Sequence, residues 1–346
     1  MIYQDIKIEN FRGIRLCTLN KLGQVNLFFG KNNCGKSSVL EALFLLTGQS
    51  NPTMPVLLNN LRYLQIYTED DMKTVFYRAN SQNKIRISSS GEQTREVCLS
   101  MQESHRRQIS LDKLNNTQSE QSGRFYGYSV EFRKGGDDHV YHSKLVVDEN
   151  NQGNMAADPL YKESLIGQYL PSGLMQSGVF DKLAEIIKNK EEEVIIDALR
   201  IVEPNIKDIQ LAGSKVMVDV GLPTRLPINL LGDGIRKVLL VILSIYMNRD
   251  GVLMIDEIDN GLHYSVMLKL WNVILKTCRK TNTQLFISTH SLDIVKSLVK
   301  SLNEHDGDAP AVSSYKLVKK DDDELVALRY GEEQLAYAIE QEMEVR

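Results

Sequence analysis

Cysteine is scarce and scattered: the four, Cys17, Cys34, Cys98 and Cys278, make no CxxC pair and no Cys/His cluster. That excludes a zinc site or a disulfide framework and makes the cytoplasm the expected compartment. Long apolar runs are missing too. No stretch approaches the roughly 18 apolar residues of a membrane span, so no membrane partner is expected. The opening Met1-Ile2-Tyr3-Gln4-Asp5-Ile6 has no basic leader before an apolar core, and export is not expected. Nor is there a basic excess: the formal net charge is −4, which excludes a protein that coats nucleic acid unaided. Arg106-Arg107 and Lys319-Lys320 are short enough to be ordinary solvated surface, and they leave nucleic acid open as a partner. There is no internal repeat and no sustained heptad pattern, which excludes a solenoid and a long coiled-coil arm.

What is present suits a globular protein with a substantial core. With 346 residues and 42% hydrophobic content, the chain should form one large domain carrying an insertion, or two modest domains. Residues 1–48 read as strand (Ile2 to Glu9), strand (Gln24 to Phe29) and helix (Ser37 to Thr47), a first lobe. Residues 49–175 are polar and irregular, an insertion or β-arm. A hairpin is expected there: Tyr126 to Arg133, a turn at Gly135-Gly136-Asp137-Asp138, then Val140 to Val147. Residues 176–346 form a second lobe. Helices are expected at Phe180 to Lys188 and Glu191 to Val202, and short strands at Ile206 to Leu211 and Lys215 to Val220. A helix (Leu231 to Met247), a strand (Val252 to Ile255), a helix (Tyr264 to Lys280), a strand (Gln284 to Ser288) and a helix (Leu292 to Asn303) follow. A hairpin from Tyr315 to Tyr330, turning at Asp321-Asp322-Asp323, and a short acidic helix close the chain. Strands alternating with helices predict an α/β fold with a mainly parallel sheet core, beside antiparallel β material and the inserted arm.

Two contiguous motifs carry chemistry. Gly30-Lys31-Asn32-Asn33-Cys34-Gly35-Lys36-Ser37 satisfies G-x-x-x-x-G-K-[ST] between an apolar strand and a helix, the phosphate-loop context. The glycines let backbone N–H groups turn toward phosphate oxygens, and the helix start adds its partial positive charge. ATP is expected over Gly30, Asn32, Asn33, Cys34, Gly35, Lys36, Ser37 and Ser38. Lys36 would reach the β- and γ-phosphates and Ser37 would ligate Mg²⁺. Gly251 to Glu257 reads as a buried strand ending in two carboxylates, where open α/β sheets place ligand chemistry. Asp256 is the expected Mg²⁺ partner and Glu257 the general base that deprotonates the attacking water. The strand Gln284 to Ser288 ends at Thr289-His290-Ser291. His290 is the candidate γ-phosphate sensor and Ser291 a candidate helix cap, two roles that are compatible.

Taken together, several segments resemble the ATPase heads of the RecF, SMC and overcoming-lysogenization-defect families. They are Ile8-Glu9-Asn10-Phe11-Arg12-Gly13, the phosphate loop, Leu231-Gly232-Asp233-Gly234, Asp256-Glu257-Ile258-Asp259-Asn260-Gly261-Leu262-His263 and Thr289-His290-Ser291. The chain looks most like the small stand-alone AAA-type ATPases of abortive-infection and other anti-phage operons. The resemblance implies a P-loop fold of the ABC-ATPase type, with Arg12 near bound nucleotide. It implies that Gly232, Asp233 and Gly234 form a signature presented to the γ-phosphate of ATP on a second copy, with Asp259 in the adjoining contact loop. A homodimer or higher homo-oligomer follows, acting in anti-phage defence or DNA maintenance (including DNA repair) with an effector of nuclease or toxin type. Gly232 stands where such heads commonly carry Ser, and Leu231 to Gly234 by itself also reads as a plain turn. The glutamine of a Q-loop has only Gln65 and Gln168 as candidates. Of the competing classes, a nuclease of the overcoming-lysogenization-defect type has too little chain after His290 for a Toprim domain. A transporter subunit fits poorly with the Asn10-Phe11-Arg12-Gly13 opening and the polar insertion.

Overall fold

The computed structural model describes residues 1–66, 68–92, 94–111, 118–148, 152–172, 179–213, 215–304 and 310–340. The expected lobe boundary at 175/176 lies outside them. The chain opens with β1 (Asp5–Phe11), β2 (Ile14–Leu19), β3 (Val25–Phe29), α1 (Lys36–Thr47), α2 (Met54–Leu61) and α3 (Glu69–Lys73). Then come β4 (Ile85–Ser90), β5 (Arg95–Leu111), β6 (Gln118–Lys134), β7 (Tyr141–Val147), β8 (Gly153–Ala156) and β9 (Gly167–Leu170). The next stretch holds α4 (Val179–Lys188), α5 (Glu193–Arg200), β10 (Asp208–Ala212), β11 (Lys215–Asp219), β12 (Leu226–Pro227), α6 (Asp233–Met247) and β13 (Val252–Ile255). The chain finishes with α7 (Tyr264–Thr281), β14 (Gln284–Thr289), α8 (Leu292–Glu304), β15 (Val312–Lys319), β16 (Glu324–Tyr330) and α9 (Glu332–Glu340).

One large mixed sheet runs in the order β8-β7-β6-β5-β4-β1-β2-β16-β15-β3-β14-β13-β9. From β15 to β9 the neighbours are parallel, and from β8 to β2 they are antiparallel. The central parallel strands β3, β14 and β13 are buried at every position because both faces are covered. Val25, Leu27, Phe29, Leu253, Ile255, Leu285 and Ile287 face one core, formed with α4 to α9 and the small sheet β10-β11-β12. Phe28, Val252, Met254 and Phe286 face the other, formed with α1 and α2 and continuous under the antiparallel strands. Helix α6 is buried around most of its circumference, from Ile235 to Tyr246, as a helix at the centre of a layer must be.

The hairpin expected near residue 135 is present as β6 and β7, paired Tyr126↔Val147 to Phe132↔Tyr141. The sequence pattern shows the far end of this arm less well, because β5 and β6 each run for 17 residues. Past Leu99 on β5 and Tyr126 on β6 no third strand flanks them among the described residues, where they continue as a two-stranded ribbon. Among the described residues six strands, β2, β4, β5, β8, β9 and β12, are additions to those expected from the sequence. Strand β9 is only four residues long, too short for any periodicity, yet it pairs in parallel with β13 and edges the sheet. Among the described residues no helix is long and apolar enough to cross a membrane.

Candidate active site

Strand register assembles the site. In the parallel ladder Phe29 lies beside Thr289, Ile287 beside Ile255, and Ile255 beside Leu170. Residues just past the strand ends therefore fall side by side: Gly30 with His290, Ser288 with Asp256, and Ser172 with Glu257. This is the carboxyl edge of a parallel sheet, where α/β folds bind ligands. Three sequence motifs, the first more than 200 residues ahead of the other two, reach one edge because β14 inserts between β3 and β13.

At the phosphate loop, Gly30 has φ 146°, Asn33 φ 62° and Gly35 φ 108°. A Cβ on Gly30 would lie 2.7 Å from the Leu317 carbonyl oxygen, so only glycine fits there. Helix α1 begins at Lys36 with no side-chain cap and no acidic residue in its first turn. Its leading N–H groups thus remain available to an anion. The Lys36 ammonium is buried and folds back on the loop, donating to the Gly30 and Lys31 carbonyls at 2.9 Å each. Burial raises the Cys34 pKa against the pull of Lys36, which favours its neutral thiol. The donor set fits the phosphates of a nucleotide.

The acidic pair is held by hydroxyls. Asp256 is buried and accepts from Ser288 Oγ and, at 3.1 Å, from the Tyr169 hydroxyl on β9. Burial, with the nearby Asp256 carboxylate, pushes the Tyr169 pKa far up, so that it stays a donor. Glu257 has φ 48°, a left-handed conformation that costs a non-glycine residue on the order of 1 kcal/mol. Its backbone N–H donates to Ser288 Oγ at 2.9 Å, and its Oε2 accepts from Ser172 Oγ at 2.8 Å. Among the described residues no three His, Cys, Asp or Glu side chains converge as a metal cage. A divalent ion here would draw its ligands from Ser37, Asp256, phosphate oxygens and water, a donor set that suits Mg²⁺.

Arg12 reaches the same neighbourhood from the β1–β2 turn. It donates through Nε to Glu41 Oε2 at 2.7 Å and through Nη1 to Asn59 Oδ1 at 3.0 Å, while its buried Nη2 finds no partner among the described residues. Glu41, on α1, also accepts from Arg62 Nε at 2.5 Å. Arg12, Arg62, Arg78 and Lys319 line a cavity of about 370 Å³ that opens onto Asn33, Cys34, Gly35 and Ser38. The positive charge of this cavity beside the phosphate loop suits an anionic group. A larger depression, about 830 Å³, lies around Met1, Lys21 and Arg329 at the opposite end of β3, so volume alone does not choose the site. Glu41→Ala is expected to cost about 3–5 kcal/mol of stability, because it strands a buried guanidinium, read as a lower denaturant midpoint.

Gly232 caps the start of α6 at φ 96°, ψ 168°, a conformation that a side chain would strain. Asp233 is exposed and accepts from Arg236 at 3.0 Å. Gly234 packs near the Gly261 carbonyl and Leu262, so the start of α6 adjoins the turn that follows the acidic pair. In that turn Asp259 accepts from Thr289 Oγ1 at 2.9 Å and lies 3.5 Å from His290 Nδ1. Ser291 precedes α8 and is held through its backbone, its N–H donating to Thr289 Oγ1 at 3.0 Å.

Several residues of the site carry no sequence signal of their own. Lys237, one turn into α6, lies within electrostatic reach of Asp259, Asp256 and Glu257; burial lowers its pKa while these carboxylates raise it. Ser172, Tyr169, Ser288 and Glu41 are likewise identified only by contact. Neither Q-loop candidate reaches the acidic pair: Gln168 lies mid-strand and accepts from Asn248 at 2.8 Å, and Gln65 sits in an exposed loop. Two aspartates of the last hairpin's turn are engaged in holding it. Asp322 pairs with Arg15 at 2.6 Å, and Asp323 accepts from Tyr77, Arg78 and Lys319.

A phosphate loop with an acidic neighbouring strand on a parallel sheet defines a P-loop nucleotide-binding protein. Residues 25–296 match the family model described as "AAA domain, putative AbiEii toxin, Type IV TA system", and the chain belongs to that family. It is an AAA-type ATPase. A Helicobacter pylori protein named "ATP/GTP phosphatase" is 26% identical, with 98% of each chain covered. The uncharacterized protein MJECL10 of Methanocaldococcus jannaschii is 36% identical over 87 residues, 24% of this chain and 40% of that one. Among solved structures, an SMC head bound to the C-winged helix domain of ScpA aligns over 98% of this chain and 100% of its own, at 10% identity and TM-score 0.49. The Thermotoga maritima SMC head covers 95% and 99%, at 10% identity and TM-score 0.42.

Proposed function

We propose that the chain is an ATP-driven switch whose two copies close head-to-head on ATP and reopen on hydrolysis. The observation that carries this reading is the register that sets Gly30, His290, Asp256 and Glu257 along one sheet edge. ATP lies over Gly30 to Ser38, with Asn32 and Asn33 at the loop mouth. Lys36 exchanges its two carbonyl partners for β- and γ-phosphate oxygens, and Arg12 lies near the bound nucleotide. Ser37 and Asp256 hold Mg²⁺, which neutralises charge developing on the phosphates. Glu257 takes the proton of the attacking water, and His290 senses the γ-phosphate beside it. Gly232, Asp233 and Gly234 of one copy meet the γ-phosphate bound to the other through backbone N–H groups and the α6 start, with Asp259 in the contact loop.

The name of the Helicobacter pylori relative supports nucleoside triphosphate hydrolysis, and parallel assays with ATP and GTP would show whether both are substrates. The words "putative AbiEii toxin, Type IV TA system" support a role beside a toxin-type effector; anti-phage defence, a nuclease effector and DNA maintenance in the cytoplasm rest on the resemblance of the motifs alone. Sedimentation of Glu257→Gln with Mg-ATP tests the switch. A species of twice the chain mass that needs ATP is expected, and affinity purification of that species should bring the effector with it. A monomer at saturating ATP would refute head-to-head closure.

A further inference from the structure

Ser172 follows β9 by two residues, as Glu257 follows β13, so the two stand abreast across the parallel ladder. Ser172 Oγ donates to Glu257 Oε2 at 2.8 Å and accepts from Asn260 Nδ2 at 2.9 Å. A hydroxyl has one proton to give, and an amide nitrogen can only donate. While Asn260 presents its NH₂ to the serine, the serine proton is committed to Glu257. One carboxylate oxygen is thereby tethered and Oε1 is left to accept from water. Glu257 is then fixed at two points, since its backbone N–H is held by Ser288 Oγ. Asn260 lies in the tight turn after the acidic strand, where its own N–H donates to the Glu257 carbonyl at 3.1 Å.

We propose that Ser172 and Asn260 are an orienting pair for Glu257, occupying the place beside the acidic strand that neither glutamine candidate fills. Both are positioning residues. Because Asn260 adjoins Asp259, displacing this turn frees the Ser172 proton and lets the carboxylate swing away. Turnover thereby depends on the turn that adjoins the start of α6. The inference rests on the reading of Glu257 as the general base.

Steady-state ATPase kinetics and fluorescent-ATP affinity of the full chain test it, with Ser172→Ala, Ser172→Thr, Asn260→Ala, Asn260→Asp and Glu257→Gln. Ser172→Ala is expected to lower kcat about tenfold to a hundredfold with KM and nucleotide affinity unchanged. Ser172→Thr keeps the hydroxyl and should restore most of the rate. Asn260→Asp should be slower than Asn260→Ala, because a carboxylate would take the serine proton and add like charge near Glu257. Ser172→Ala in the Glu257→Gln background should cause no further loss, as expected of groups acting as a unit. If Glu257→Gln stalls turnover while Ser172→Ala and both Asn260 variants keep the full kcat, the orienting pair is wrong and the base stands. If Glu257→Gln hydrolyses ATP normally, the base assignment fails and the orienting role falls with it.

Discussion

Lys36→Ala is expected to abolish ATP binding, with affinity weakened by at least about a hundredfold. The buried ammonium donates to the Gly30 and Lys31 carbonyls at 2.9 Å each. With ATP present it can trade these neutral acceptors for charged phosphate oxygens. Hydrogen bonds to charged groups are each worth about 1.5–3 kcal/mol, so two contribute about 3–6 kcal/mol, or two to four powers of ten in affinity. The apolar stem of Lys36 is part of the buried helix start, so Lys36→Met separates lost packing from lost charge. Equilibrium titration with a fluorescent ATP analogue, alongside circular dichroism to confirm the fold, is the measurement. If both variants bind within a few-fold of the unmodified chain, the phosphate-loop reading of Lys36 is wrong.

Glu257→Gln is expected to leave ATP affinity unchanged and to reduce kcat about 10²- to 10⁴-fold, the contribution usual for a general base. Glutamine is nearly isosteric and still accepts one hydrogen bond, so Ser172 keeps a partner. What it cannot do is take a proton from water. Phosphate release at saturating Mg-ATP reads the loss, and the same titration reads the retained binding. Lys36→Ala and Glu257→Gln should therefore fail at different stages, one before binding and one after it. Hydrolysis by Glu257→Gln within a few-fold of normal would move the base to another residue.

Chemistry written on contiguous residues is legible in the sequence by itself. Gly30 to Ser37 needs a glycine-rich turn between strand and helix, and the buried run ahead of Asp256-Glu257 needs a covered sheet; both constraints are local enough to leave patterns. Helix positions from Leu231 onward are legible for the same reason, since α6, α7 and α8 each sustain an apolar face over several turns. Tertiary structure alone decides which of these meet. The hydrogen bond from Ser172 to Glu257 joins residues 85 apart, and a register slip of one residue between β9 and β13 would set Pro171 there instead. Arg12 pairs with Glu41 only because β1 and α1 pack together, and Lys237 comes within electrostatic reach of the three carboxylates only because α6 lies against the turn after β13. The sequence determined which chemical groups the chain owns. The fold determined which of them share a hydrogen bond, because lateral strand pairing and helix packing are set by the burial of whole faces and not by any single residue.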